Sequence, residues 1–195
     1  GALLSACGVK SGPSTGELQE AQQPAESAYT DALASSQINF SQTYNQNQEF
    51  KFDFKTYDPD GQATGAAKVN SFKPIDKIDD IAADEGKSLF VLNLSIKGSK
   101  TNKGMPSTFN QIGDHPSPQF VIVDPTTNQS IVEETYFSDA YTQWKKLYSL
   151  SEITTDQEQW VTTAIVFQID KGMEPHLAFR FTNLQGETEF YDIRQ

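Results

Sequence analysis

The chain has 195 residues, enough for one domain and a tail. Its formal net charge is −11, from 26 acidic against 15 basic side chains, which argues against nucleic acid and against docking on anionic lipid headgroups. A single cysteine rules out an internal disulfide, so stability has to come from the core, and 13 Phe, 7 Tyr and 2 Trp supply apolar area for one.

The first stretch with a pattern is Leu3-Leu4-Ser5-Ala6-Cys7, small residues placed directly before the lone cysteine and behind a short apolar run. It resembles the bacterial lipobox. That resemblance implies a signal-peptide remnant over residues 1–7, cleavage before Cys7 and lipidation of the Cys7 thiol. It also implies an address at the cell membrane, on its extracytoplasmic face. The plainer alternative is a stray cysteine in a tail. Two acyl chains anchor stably where one does not, so the lipobox reading requires no transmembrane helix. No window approaches the ~18 consecutive apolar residues that one needs.

Residues 8–45 read as a flexible linker rich in Gly, Ser, Pro, Gln, Ala and Thr, without sustained apolar periodicity. A marginal helix is expected at most over 24–34. As a coil, the linker would hold a domain on the order of 35 Å from the membrane.

Residues 46–195 read as the folded domain. Phe50, Phe52 and Phe54 alternate with charged residues, the period of a half-buried strand. Asp58-Pro59-Asp60-Gly61 makes a turn, followed by a weaker strand over 66–75 that Pro74 closes. Residues 76–86 form an acidic connection. The strongest strand is 88–97, with Phe90, Leu92, Leu94 and Ile96 on the core face. Its other face starts apolar at Leu89 and Val91 and turns polar at Asn93, Ser95 and Lys97, as expected where one end is covered on both sides.

A polar loop over 98–118 is long enough to carry function. Strands over 119–124 and 130–136 form a hairpin, 160–169 is a further strand, and 177–181 pairs with 188–193. About eight strands with turns between them predict an all-β, antiparallel sandwich with one short helix. The helix comes from Phe137, Tyr141, Trp144 and Tyr148, spaced four, three and four apart, with Ser138 or Asp139 as its cap. Either those aromatics close one end of the core, or together with Tyr136 they form an exposed patch for a protein partner.

The run Glu85-Gly86-Lys87-Ser88-Leu89-Phe90-Val91-Leu92-Asn93-Leu94, with residues 166–172 and 177–181, resembles the immunoglobulin-like domains of small secreted bacterial lipoproteins, a family of unknown function. The resemblance spans roughly 66–193. It implies an immunoglobulin-like fold and an extracytoplasmic address, and supplies no catalytic residues. The 98–118 loop and the Phe50–Phe54 strand depart from it.

Chemistry-bearing patterns are sparse. His115 and His176 sit in no metal-ligand spacing, and no nucleophile elbow appears. Asp58 and Asp60 resemble the start of a calcium loop without its later carboxylates, so a plain turn explains them better, and Asp79 and Asp80 belong to an acidic run that a solvated loop explains better than a cation site. The expectation is a lipid-anchored, non-enzymatic binding module without cofactor or resident metal. The alternatives are a structural subunit of a cell-envelope assembly, or a small-ligand carrier or enzyme.

Overall fold

A computed structural model describes residues 38–56, 60–110, 118–124 and 126–195. Cys7, most of the proposed linker, Asp58 and His115 lie outside them. The strands are β1 (Phe40–Asn45), β2 (Phe50–Lys55), β3 (Gln62–Ile75), β4 (Lys77–Ile78), β5 (Ile81–Ala82), β6 (Lys87–Lys97), β7 (Gln119–Asp124) and β8 (Gln129–Ile131). Then come helix α1 (Thr135–Lys145), a 3-10 turn (Leu150–Glu152), and strands β9 (Val161–Asp170), β10 (His176–Thr182) and β11 (Thr188–Arg194).

Two sheets form the sandwich, one ordered β9-β6-β3-β2 and the other β1-β11-β10-β7-β8. After β1, the chain crosses from the first sheet to the second between β6 and β7, returns between β8 and β9, and crosses again between β9 and β10, the pattern of an immunoglobulin-like sandwich. All pairs are antiparallel except β1, which runs parallel to β11. This corrects the linker boundary: residues 40–45 are strand, although their polar composition hides it. Their partner comes from the other end of the chain, and Tyr44 stacks on Phe50 at 4.8 Å.

The alternating Phe50, Phe52 and Phe54 all point between the sheets, each no more than 3% exposed. Phe179 answers them from the opposite sheet, with ring centroids 4.6 Å from Phe52 and 5.3 Å from Phe50. Aromatic pairs at such distances add about 0.5–1.5 kcal/mol beyond the area they bury. That is how a chain without a disulfide holds its two layers together.

The weak strand expected at 66–75 is instead the 14-residue β3. Pro74 lies inside it, opposite Phe90 on β6, at a point beyond the last β2 pair. A missing N–H there breaks no ladder bond on the β2 side. The acidic connection over 76–86 folds into the small β4–β5 hairpin because Ile78 is fully buried. The second strand of the 119–136 hairpin stops at Ile131, and Tyr136 belongs to the helix.

The mixed face of β6 has the cause its pattern suggested. Leu89 and Val91 join Ile78, Phe137, Ala164 and Val166 in a second apolar cluster on the outer face of the first sheet, beneath α1. The continuous apolar run Phe120–Val123 is also covered on both sides, by the main core and by a third cluster containing Ile38, Phe40 and Phe190.

Candidate binding surface

Helix α1 is seated by its first turn on an edge strand. In the first sheet β9 has a free outer edge, and Val166 would leave an unpaired N–H and C=O there. The Ser138 hydroxyl accepts the Val166 N–H at 2.8 Å, and the Glu134 N–H donates to the Val166 carbonyl at 2.9 Å. Ser138 therefore is not the cap, and neither is Asp139. The helix starts at Glu134, whose side chain makes no capping bond. It ends at Lys146 in the left-handed conformation (φ 59°), and the Leu147 N–H returns to the Thr142 carbonyl at 2.9 Å.

The expected aromatic stripe divides along its length, and its last member, Tyr148, lies past the left-handed turn at Lys146 and so outside the helix. Phe137 is buried in the outer cluster at 4% exposure, and Tyr141 packs partly against it. Trp144 is 40% exposed, Tyr148 63% and Tyr136 67%. Phe137 thus belongs to the core and cannot contact a partner, while Trp144, Tyr148 and Tyr136 face solvent. Tyr141 and Trp144 pack edge to face at 6.0 Å, and the Lys145 ammonium lies 4.1 Å from the Trp144 ring centroid. Burial raises the Tyr141 hydroxyl above its usual pKa, so it stays a neutral hydrogen-bond donor.

At the other end of α1 a polar cluster holds the β4–β5 segment to the helix. The Gln168 amide donates to Asp84 Oδ2 at 2.9 Å and to Glu134 Oε2 at 3.1 Å, while the Asp84 N–H donates back to Gln168 Oε1 at 2.7 Å. Burial pushes the Glu134 carboxyl above its ordinary value, Gln168 offsets part of this, and the neighbouring Asp84 charge adds to it. Glu133 is raised for the same first reason. These contacts read as scaffold.

No three described His, Cys, Asp or Glu residues group to hold a metal ion. Asp79 takes up a left-handed turn (φ 57°) in the β4–β5 hairpin, next to Asp80. His176 Nε2 lies 2.7 Å from Asp192 Oδ1, and its ring stacks on Phe40 at 5.5 Å, a structural role joining β1 to the second sheet.

The described part of the 98–118 loop is pinned. Phe109 is fully buried, and the Asn102 side chain bridges the Thr64 N–H and the Thr155 carbonyl. Gly98 lies so close to Thr155 that a Cβ there would stand 1.8 Å from its carbonyl oxygen.

Beyond the area that α1 covers, the outer face of the first sheet is open and polar. Asn70, at a bulge in β3, donates through Nδ2 to Asn93 Oδ1 at 3.1 Å and to Ser95 Oγ at 3.0 Å. Ser95 Oγ lies 3.3 Å from Thr162 Oγ1. Trp160, 37% exposed, borders this floor with the Lys97 ammonium 4.9 Å and the Lys68 ammonium 6.0 Å from its ring centroid. Sequence reasoning missed this surface. Its only trace was the polar half of β6, Asn93-x-Ser95-x-Lys97.

No protein-family model matches the chain, and no curated protein does. Among solved structures it is similar to a conserved hypothetical protein from Bacillus anthracis, at 13% identity and TM-score 0.39, over 74% of this chain and 98% of that one. It is also similar to the ycdA protein of Bacillus subtilis, described as a candidate lipoprotein, at 14% identity and TM-score 0.39. That match covers 76% of this chain and 38% of the other. A third is an uncharacterized β-sandwich protein from Clostridium difficile, at 12% identity and TM-score 0.36, over 81% of this chain and 97% of that one.

Proposed function

We propose that this β-sandwich is a non-enzymatic binding module, held at the extracytoplasmic face of a cell membrane by lipid on Cys7, that engages a protein partner through the C-terminal end of α1. The observation that carries the reading is the exposure of Trp144, on the helical stripe whose first member, Phe137, is buried, together with exposed Tyr148 just past the helix end. Trp and Tyr are enriched among the residues that dominate binding energy, because they bring large contact area at low entropy cost. Tyr136 and the rim of Tyr141 would extend the contact. The reading requires no cofactor. The lipid anchor and the lipoprotein-domain relationship rest on the lipobox-like Leu3–Cys7 stretch and the β6 motif.

The test is a pull-down of the native, detergent-extracted protein with intact-mass analysis of its N-terminus, repeated with Trp144→Ala/Tyr148→Ala. A lipid-modified Cys7 and a partner lost in the double variant are expected. A stoichiometric partner that the double variant retains would instead make the chain a subunit of an assembly held through another surface. An unmodified Cys7 would sink the anchoring.

A further inference from the structure

The open half of the outer face of the first sheet is chemically unlike the rest of the chain. Of the 26 carboxylate side chains, β3, β6 and β9 together carry one, Asp170, and Lys87 pairs with it at 2.6 Å. The same strands present Lys68, Lys73 and Lys97 on that face, and none of the three forms an ion pair with a described carboxylate. The strand register lays the surface out in rows. Lys51, Ala66 and Lys97 lie across β2, β3 and β6, with Trp160 next to Lys97. The next row is Lys68, Ser95 and Thr162, and beyond it Asn70 and Asn93 meet before the floor runs under α1. The carboxylates of this face, Glu49 and Asp53, lie towards the outer edge strand β2, and Asp53 is engaged by the Thr64 hydroxyl at 2.7 Å.

We propose that this surface binds an acidic polysaccharide. A pyranose ring stacks its C–H face on Trp160, its hydroxyls meet the Asn70, Asn93, Ser95 and Thr162 side chains, and its acid groups meet Lys68 and Lys97. Four features select that occupant. The Trp160 indole at the border of the sheet is 37% exposed, an apolar surface against which one sugar ring can pack. Beyond the Ala66 row the floor is amide and hydroxyl, and its internal bonds fix the side chains while leaving Asn93 Nδ2 as a donor and Asn70 Oδ1 as an acceptor. The ammonium groups already stand over the ring, so an acid group seated beside it finds a cation in place. Finally, a local basic patch inside a chain of net charge −11 attracts a polyanion only where the patch faces it, which orients the polymer along the sheet. A neutral glycan would leave the lysines without a role. A single-stranded nucleic acid would want several stacking rings along a basic groove, and among the described residues this surface has one.

The Tyr148 carbonyl accepts from the Thr163 hydroxyl at 2.7 Å, beside Thr162, so the two surfaces are neighbours, and they are separable by experiment. The full chain is titrated by calorimetry at low salt with oligogalacturonate, with maltohexaose as the neutral control and oligothymidylate and phosphatidylglycerol vesicles as other anions. The expected result is oligogalacturonate binding that weakens with added salt and is at least about tenfold tighter than that of any other probe. Trp160→Ala and Lys68→Glu/Lys97→Glu each weaken it about tenfold or more, whereas Trp160→Phe retains most of it and Trp144→Ala/Tyr148→Ala leaves it unchanged. No binding of oligogalacturonate, or equal binding of maltohexaose, overturns the proposal. So does binding that survives the Trp160 and lysine substitutions. Oligothymidylate or vesicles bound as tightly would make the patch a generic polyanion or headgroup surface and refute it too.

Discussion

Gly65 is the glycine of the main core where one added methyl group meets two buried rings. It faces Phe52 across the β2–β3 ladder, and the Phe52 ring lies over it. A Cβ at Gly65 would stand 2.5 Å from Phe52 Cζ and 2.9 Å from Phe109 Cε1, both inside contact distance. Neither ring has room to retreat. Phe52 is 2% and Phe109 0% exposed, and Phe52 is packed against Phe54, Phe179 and Phe181. Overpacking a tight core costs about 1–3 kcal/mol. For a domain of this size that lowers Tm by about 2–12 °C, at about 2–4 °C per kcal/mol.

Urea unfolding of Gly65→Ala, followed by circular dichroism, measures the loss directly. Phe109→Leu in the Gly65→Ala background is expected to cost less than the sum of the two single changes, because the shorter side chain vacates the space the methyl needs. A Gly65→Ala protein within about 0.5 kcal/mol of the parent, or strictly additive costs in the pair, would refute the notch.

Three further outcomes follow from the helix and its seat. Ser138→Ala leaves the buried Val166 N–H without its 2.8 Å acceptor and should cost about 1–3 kcal/mol, read by the same denaturation. Phe137→Ala should cost about 3–5 kcal/mol while Tyr148→Ala, two-thirds exposed, stays within about 0.5 kcal/mol; similar losses would mean the stripe is buried throughout. The third outcome concerns pH. Glu133 and Glu134 titrate above the ordinary carboxyl value of 4.5, chiefly because burial disfavours their charged forms. Their contribution to stability is complete below that value and is lost as pH rises through the folded-state pKa. Tm should therefore rise as pH falls from 7 towards about 5, and Glu133→Gln/Glu134→Gln should flatten that slope. Relief of the overall negative charge acts in the same direction, so an unchanged slope in the double variant would refute the assignment.

Much of the architecture was legible because it depends on local period. Alternation of Phe50, Phe52 and Phe54 requires one buried face, and the four-three spacing of Phe137, Tyr141 and Trp144 requires a helix, although Tyr148 falls past its end. Even the two-sided burial of β6 at Leu89 and Val91 could be read, since an apolar pair on a face that later turns polar needs a cover. What period cannot carry is the partner across the fold. Residues 40–45 look like linker because their strand character depends on β11, about 150 residues away. Pro74 looked like a terminator because nothing local says that its N–H side faces no strand.

The helix cap failed for a related reason. Ser138 has the chemistry of a cap, and only the edge of β9 decided that its hydroxyl would serve Val166 instead. The candidate surfaces follow the same division. Composition announced an acidic chain and hid the basic face, because net charge sums over residues while a face is assembled from three strands far apart in sequence. That Phe137 is core and Trp144 is surface was likewise settled by how far along the helix the sheet beneath it extends, a length that belongs to the packing of two elements and is written in neither alone.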